Sequence, residues 1–567
     1  HEDGYCVVTE LYDSKLGKLI QKREFIGDNI FTIIDNISLQ LRYDLDIPAS
    51  HIESTDNLFV SDIYTNNIQA FEYFTKGSLE KLKNHTEEVI VTVIDYYNKA
   101  LEFDEDFATI YKKLHGLYLL SGNDKKADEC LEKSMSLLYK FPEPLQYEVK
   151  SAYFRFVEKN PDKVIKLYEL WTKLQPHNIG THKELAEAYI KARQLDKALQ
   201  EYLIVLNMHP SDLDTLVDIK DIYIMKKNFS MAEEKLKQYA ENYPDNYRSY
   251  YHLGELYKEM GEFLKAKEQY EIASLIEPNF NEIKLKLALI ESKFGDYNLT
   301  IKKLIDLAKD NKKTRNEKYS IYCELYTIYE ITGQLNKSIE FARKANELDP
   351  TWGMDTVASA VALAKLYLQS SDEESALKVM DQIKSKLTSE TKIGLFNRML
   401  IADIHLDRGD YEKVEESIIE MDILIKELGL KMIESRKNKI SAQLHEKKGD
   451  FKNALDYYQA SMHESPDWDT WGGRTNPRGI GRCYRKLKEF NLSEEHFLDF
   501  LKLDPFHPKT HYELGLLYHD MKNKEKAIEH IEIALDIWKG ADEDYIIAQE
   551  AKNILNDWHW YIKYKNS

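Results

Sequence analysis

Cysteine is scarce: the chain has four, at Cys6, Cys130, Cys323 and Cys483, far apart and without a CxxC or other metal-ligand spacing. That scatter gives no metal site and suits reduced or inert thiols in a cytoplasmic setting. Positive charge is short as well. Seventy-eight Lys and Arg face 97 Asp and Glu, for a formal net charge of −19. Such a balance excludes a general nucleic-acid binder, because phosphate contacts need a basic face. No apolar run is long enough to cross a bilayer, and no secretory signal opens the sequence. Motifs that carry chemistry are missing too: there is no GxxxxGK[ST] loop, HExxH, GxSxG elbow or EF-hand loop. The expectation is a chain that is not an enzyme, with no cofactor and no metal.

Residues that resemble chemistry have plainer readings. His507 and His511 stand four apart without a Cys or Glu at ligand spacing, so they read as packing. His559 between Trp558 and Trp560 reads as part of a terminal cap, and Asp372-Glu373-Glu374 as a solvated helix start.

What the sequence has is repetition. In 247–278 small residues stand where two helices touch, at Gly254, Ala266 and Ala273, while Tyr250, Leu253, Tyr257 and Tyr270 fill the space around them. Gly261 turns the chain and Pro278 blocks further helix. Steps of 34 residues from 247 reach 213, 179 and 145 in one direction and 281 in the other. This spacing and these anchors resemble the tetratricopeptide-repeat family. The resemblance implies a mostly α superhelical solenoid in which each helix pair buries its apolar stripes against the next. Beyond 281 the units start near 319, 357, 395, 435 and 474, separated by 38, 38, 40 and 39 residues, and a last one starts at 508. Ala186, Gly254, Ala364, Ala402, Ala442, Gly481 and Gly515 occupy the close-contact site of the first helices. Tyr118, Tyr189, Tyr223, Tyr257, Tyr329, Tyr367, Tyr484 and Tyr518 share one packing offset.

Ahead of the array, 5–12 and 18–26 read as two strands around a turn with Gly17 at positive φ, followed by a helix over roughly 29–43 capped by Asp28. Leu11-Tyr12-Asp13, Gly17, Lys22-Arg23 and Asp28-Asn29-Ile30-Phe31 resemble the end of the TolB-like domain that precedes such arrays in bacterial signalling and regulatory proteins, although Gln21 replaces the usual aromatic. The domain's earlier strands are absent and the chain opens at His1 without Met, so an output domain is expected upstream. The expected division is a partial TolB-like α/β domain over 1–45, a linker over 46–66, about 13 helix pairs over 67–541 and a capping helix over 542–567.

The family resemblance implies that certain positions of each first helix look into a concave groove. Here they are Arg436, Lys439, Ile440 and Gln443, then Thr475, Arg478, Gly479 and Arg482, continued by Lys509 and Tyr512. With Arg474 they form a basic patch in an acidic chain, suited to a carboxylate or acidic peptide. The Lys-Asn-Asn-Lys-Arg arrangement with which the family clamps chaperone C-termini is missing. Two Trp-Gly loops bring Trp352, Trp468 and Trp471, which either plug widened gaps or act as aromatic anchors.

The expected function is a non-catalytic protein- or peptide-binding module of a bacterial signalling or transcription-associated protein. The alternatives are an assembly scaffold that forms homo-oligomers and a small-molecule sensor. Its partner is a protein or an acidic peptide, not nucleic acid, and no segment spans a membrane. A cytoplasmic setting is expected, with a periplasmic or other extracytoplasmic portion of a longer membrane protein as the alternative.

Overall fold

The computed structural model describes residues 4–13, 17–45, 47, 59–82, 87–121, 123–310, 312–348, 355–385, 401–428, 431–464 and 476–565. They fall in two compact units, His1–Gln194 and Leu195–Ser567.

The first unit opens with strands β1 (Tyr5–Tyr12) and β2 (Leu19–Gly27), antiparallel, with Val7 opposite Phe25 and a slip between Leu11 and Tyr12. Gly17 takes φ +62° in the connection, as expected. The next helix, α1 (Ile30–Asp44), is capped by Asn29 rather than Asp28, its side chain accepting from the amides of Phe31 and Thr32. A two-stranded ribbon is marginal alone. Here Arg23 grips Asp44 of α1 at 2.5 Å, and the Phe31 ring stands edge-on to Phe71 at 5.4 Å, so α1 ties the ribbon to the first helix pair. One helical turn, α2 (Val60–Ile63), joins through the Val60 amide, which donates to Asp35 at 2.6 Å.

Helix pairs follow: α3 (Ile68–Lys81) with α4 (Glu87–Phe103), α5 (Ala108–Leu120) with α6 (Asp124–Ser136), α7 (Glu143–Phe156) with α8 (Pro161–Leu174), and then α9 (Ile179–Lys191). Asn160-Pro161, which looks in sequence like an interruption of a first helix, instead starts α8. Asn160 is its N-cap and Pro161 holds the first helical position, where no amide is needed.

The second unit begins with α10 (Leu195–Met208) and continues with α11 (Leu213–Met225) and α12 (Phe229–Asn242), α13 (Tyr247–Glu259) and α14 (Phe263–Ile276), α15 (Asn281–Leu289) and α16 (Tyr297–Ala308), and α17 (Arg315–Ile331) and α18 (Leu335–Leu348). Next come α19 (Asp355–Gln369) and α20 (Glu373–Ser385), then α21 over 401–408 and α22 (Tyr411–Leu428). The series ends with α23 (Lys431–Lys447) and α24 (Phe451–Glu464), α25 (Asn476–Lys486) and α26 (Phe490–Leu503), α27 (Pro508–Asp520) and α28 (Lys524–Ile537), and α29 (Ile546–Lys565). Asp372 caps α20, accepting from the Ser375 amide at 3.1 Å, as its acidic start predicts.

From α7 onward the turn between the two helices of a pair holds one residue at positive φ: Lys159, Arg193, Lys227, Gly261, Gly295, Gly333, Ser371, Gly409, Gly449, Lys488 and Lys522. Their spacing is 34 residues up to Gly295, then 38, 38, 38, 40 and 39, and 34 again at the end. The turn fixes the repeat, and the longer units owe their length to longer helices and connections. Small residues sit where helices touch: Ala186, Ala364, Ala402 and Ala442 are fully buried, and a Cβ on Gly254 would meet the Tyr270 ring at 2.5 Å. Tyr118, Tyr189, Tyr223, Tyr257, Tyr329, Tyr367 and Tyr518 are buried, which assigns them to packing.

The second unit also has a feature that the repeat pattern does not contain. Its later helices rest on the turns of its earlier ones. A Cβ on Gly261 would stand 2.6 Å from the Lys502 carbonyl oxygen, one on Gly295 3.1 Å from the Phe506 ring, and one on Gly333 2.6 Å from Tyr545. Lys293 pairs with Asp504 at 2.6 Å, Tyr297 donates to the Phe506 carbonyl, and the Trp538 indole donates to the Ile331 carbonyl. One core joins Tyr326, Leu335 and Ile339 to Ile531, Trp538 and Tyr545. Within the second unit the later repeats thus close onto the earlier ones along a seam.

Candidate functional site

Inside that closure, first helices present charged side chains to one another. Arg478, Arg482 and Arg485 lie at i, i+4 and i+7 and so share one face of α25. They line a cavity of about 520 Å³ bounded by α21, α23, the start of α24, α25, α27 and α29. Its other cations are Lys447, Lys486 and Lys509, and its acids are Asp407, Glu446 and Glu513, an excess of three positive charges in a chain whose net charge is negative.

The three arginines differ in what holds them. Arg482 makes a fork with Glu446, at 2.5 Å from Nε and 2.9 Å from Nη2, and Tyr458 donates to the same carboxylate at 2.8 Å. Burial works against the Arg482 charge, but the Glu446 bonds and charge outweigh it and raise its pKa. The same pairing overcomes burial at Glu446 and lowers its pKa. Arg485 reaches Asp520 at 3.3 Å and Glu513 at 3.8 Å.

Arg478 pairs with no carboxylate among the described residues. Its Nη1 lies 3.3 Å from both ring nitrogens of His507, its guanidinium stands 5.3 Å from the centre of the Phe500 ring, and its buried Nε has no hydrogen-bond partner. Burial and the neighbouring Arg482 bring its pKa down to about 10. His507 is neutral beside it, because burial and Arg478 push its pKa well below the usual imidazole value. Four buried atoms of the lining lack hydrogen bonds: Gln443 Oε1, Arg478 Nε, Arg485 Nε and Glu513 Oε2. Beside them Lys509 reaches Glu330 at 3.5 Å across the seam, and Lys365 pairs with Asp407 at 3.3 Å.

Of the residues expected in the groove, the cavity brings together Gln443, Arg478, Arg482, Lys509 and Tyr512. Arg436 stands 3.8 Å from Asp403 on the neighbouring α21, and Lys439 is half-buried on α23 outside the lining. Arg474, Trp352, Trp468 and Trp471 lie outside the described residues. Sequence reasoning missed Arg485, Glu446 and Glu513. The first was legible from its i+7 spacing, but the acids became visible only with the helices side by side.

Other polar pairs belong to the architecture. His405 with Asp410 and His445 with Asp450 are both 3.1 Å apart and flank equivalent turns, so the contact repeats with the fold. His507 caps α27, its Nδ1 accepting from the Thr510 amide. His511 Nε2 lies 2.8 Å from the Pro505 carbonyl and must donate to it, so its Nδ1 accepts from His530 at 2.8 Å. Among the described residues no group of three or more His, Cys, Asp or Glu side chains could hold a metal ion, and no helix is long and apolar enough to cross a membrane.

The tetratricopeptide-repeat family model matches residues 247–280, 319–351 and 508–537, three segments in register with α13–α14, α17–α18 and α27–α28. The chain therefore carries tetratricopeptide repeats. It is 23% identical over 471 residues to the Protein CTR9 homolog of Arabidopsis thaliana, covering 74% of this chain and 40% of that protein. It is 24% identical over 163 residues to the human Protein O-mannosyl-transferase TMTC3, covering 26% of this chain and 18% of that protein. Superkiller protein 3 of Schizosaccharomyces pombe is 20% identical over 291 residues, 49% of this chain and 20% of that protein. The chain thus spans less than half the length of each of these relatives. A solved chain from the APC/C hetero-tetramer Cut9-Hcn1 aligns over 87% of this chain and 99% of its own length at 13% identity, with a TM-score of 0.30.

Proposed function

We propose that this chain is a non-catalytic protein-interaction scaffold whose second unit receives an extended acidic segment in the cationic hollow around Arg478. The observation that carries the reading is a buried guanidinium, Arg478, with no carboxylate ion pair among the described residues, in a cavity whose lining holds six cations and three acids, inside a chain of net charge −19. Low-dielectric walls strengthen the attraction of such a site for an anion. A transferase reading gains nothing from the match to TMTC3, which covers 18% of that protein. The finer placement of the chain in a bacterial signalling protein, with a TolB-like front element, rests on its own sequence features.

Fluorescence anisotropy with a labelled polyglutamate peptide, on the parent and on Arg478→Met, tests the reading. Binding should fall at least tenfold in the variant while its thermal melt holds. Equal binding by both proteins would remove the acidic-segment reading.

One observation favours a second reading, assembly through self-association. The outward face of the β1–β2 ribbon leaves Val8 51%, Ile20 54% and Ile26 66% exposed. Sedimentation across a range of concentrations, with Ile26→Lys beside the parent, distinguishes the two. A chain that stays monomeric throughout leaves the acidic-segment reading alone.

A further inference from the structure

The four unsatisfied atoms around the cavity specify more than negative charge. Arg478 Nε and Arg485 Nε are donors that require acceptors, whereas Gln443 Oε1 and Glu513 Oε2 are acceptors. An occupant must therefore bring an oxyanion and hydrogen-bond donors together. A bare anion answers only half of that demand. An extended peptide answers both, because the backbone amides beside an anionic side chain donate in the directions a carboxylate or amide oxygen accepts.

Charge and geometry then select the anion. Arg485 has Asp520 and Lys509 has Glu330 outside the lining, so one carboxylate would answer Arg478 and leave Lys447 and Lys486, which form no ion pair among the described residues. A phosphate monoester carries roughly −1.5 to −2 near neutral pH and three acceptor oxygens. Guanidinium groups suit phosphate because they offer several fixed donors at once. Arg482 is engaged by Glu446 and the outer nitrogens of Arg485 by Asp520 and Glu513, which leaves Arg478 and the Nε of Arg485 with donors to offer.

We infer that the hollow reads a phosphorylated side chain within an extended segment: Arg478 and Arg485 take the phosphoryl oxygens, while Gln443 and Glu513 take main-chain amides. This rests on the acidic-segment reading above and adds the chemical class of the residue recognised.

The test uses the full chain, two immobilised probes, a degenerate phosphoserine peptide library and the same library with glutamate in place of phosphoserine, and a free sugar phosphate as competitor. The phosphoserine library should be retained at least tenfold more strongly than the glutamate library. Arg478→Met should abolish the difference, and Arg478→Lys should restore part of it. Gln443→Ala should weaken retention of the phosphopeptides yet leave the competition constant of the sugar phosphate unchanged. Equal retention of both libraries would overturn the phosphate inference and leave the acidic-segment reading intact. Retention of neither would overturn both. Competition by the sugar phosphate with the strength of the best phosphopeptides would also overturn the inference, because it makes the amide contacts superfluous. Circular dichroism on each variant confirms that the comparison is made between folded proteins.

Discussion

Asn336 donates its backbone amide to the Asp542 carboxylate at 2.8 Å across 206 residues of sequence. The Asp542 amide donates in turn to the Gly333 carbonyl at 3.0 Å. One residue near the end of the chain thus holds a turn near its middle from both sides. Such a contact fixes the distance between two parts of the array that repeat stacking alone leaves free.

Gly333→Ala should therefore cost more than the same change at Gly409. Both turns have positive φ, near +75° and +80°, and share a backbone penalty of about 1–2 kcal/mol. At Gly333 the added methyl also meets Tyr545 and Ala541 within 2.8 Å, whereas nothing lies within 4 Å at Gly409. The difference, about 1–3 kcal/mol by overpacking, is the quantity to read from denaturant melts of the two variants.

The neighbouring arginines of α25 should separate in the same measurement. Arg482→Ala strands the largely buried Glu446 carboxylate and should destabilise by about 3 kcal/mol. Arg478→Met removes a cation that has no carboxylate partner and is repelled by Arg482, so its stability should stay within about 1 kcal/mol of the parent. A double substitution of both arginines would mix lost binding with lost folding.

Helix contact predicts a second contrast. Gly481→Ala places a Cβ 2.8 Å from the Phe497 ring and should destabilise by about 1–3 kcal/mol. Gly116→Ala, in a helix with nothing within 4 Å, should stabilise by about 0.5–1 kcal/mol. Thermal melts of the two should shift in opposite directions.

Acid should weaken the second unit in two stages. Burial first, then Lys220 and Arg248, lower the His252 pKa to about 4, and burial first, then His511 and Lys526, do the same at His530. The unfolded chain, with imidazoles near 6.5, binds protons that the folded state refuses, so stability should fall as pH drops from about 6.5 to about 4. Each residue should contribute on the order of 1–2 kcal/mol after solvent screening. Below that window Glu255 takes over. Burial works to raise its pKa, but Lys258, Lys286 and the Tyr270 hydroxyl hold it at about 2, so its contribution is lost as pH falls from about 4.5 towards 2. Urea melts at a series of pH values should show the first decline shrink in His252→Gln/His530→Gln, the remainder belonging to other buried imidazoles such as His507 and His511.

The repeat register was legible to the residue, because the turn needs one left-handed residue per unit and helix contact needs one small residue per unit. Those demands recur and leave a periodic mark. The seam was not legible, since Lys502, Phe506 and Tyr545 meet Gly261, Gly295 and Gly333 once each, with no period to betray them. A hint was present. Those three successive turns are glycine where Lys or Arg serves at residues 159, 193 and 227. The site was half legible for a similar reason. Arg482 finds Glu446 at a step of 36 residues, close to one repeat, and the same step back from Arg478 reaches Ala442. The distinction between a braced and an uncompensated arginine is therefore present in the residues themselves, but it becomes visible only once the neighbouring helices are aligned.

A chain of stacked units ordinarily grows or shrinks by duplication, because each member answers only to the next. Here three late contacts must arrive opposite three early glycines, so one extra or missing copy between Gly333 and Lys502 would carry every contact past its seat. The seam is therefore tied to the number of copies in that stretch, and a chain with one unit inserted or deleted there is expected to lose it.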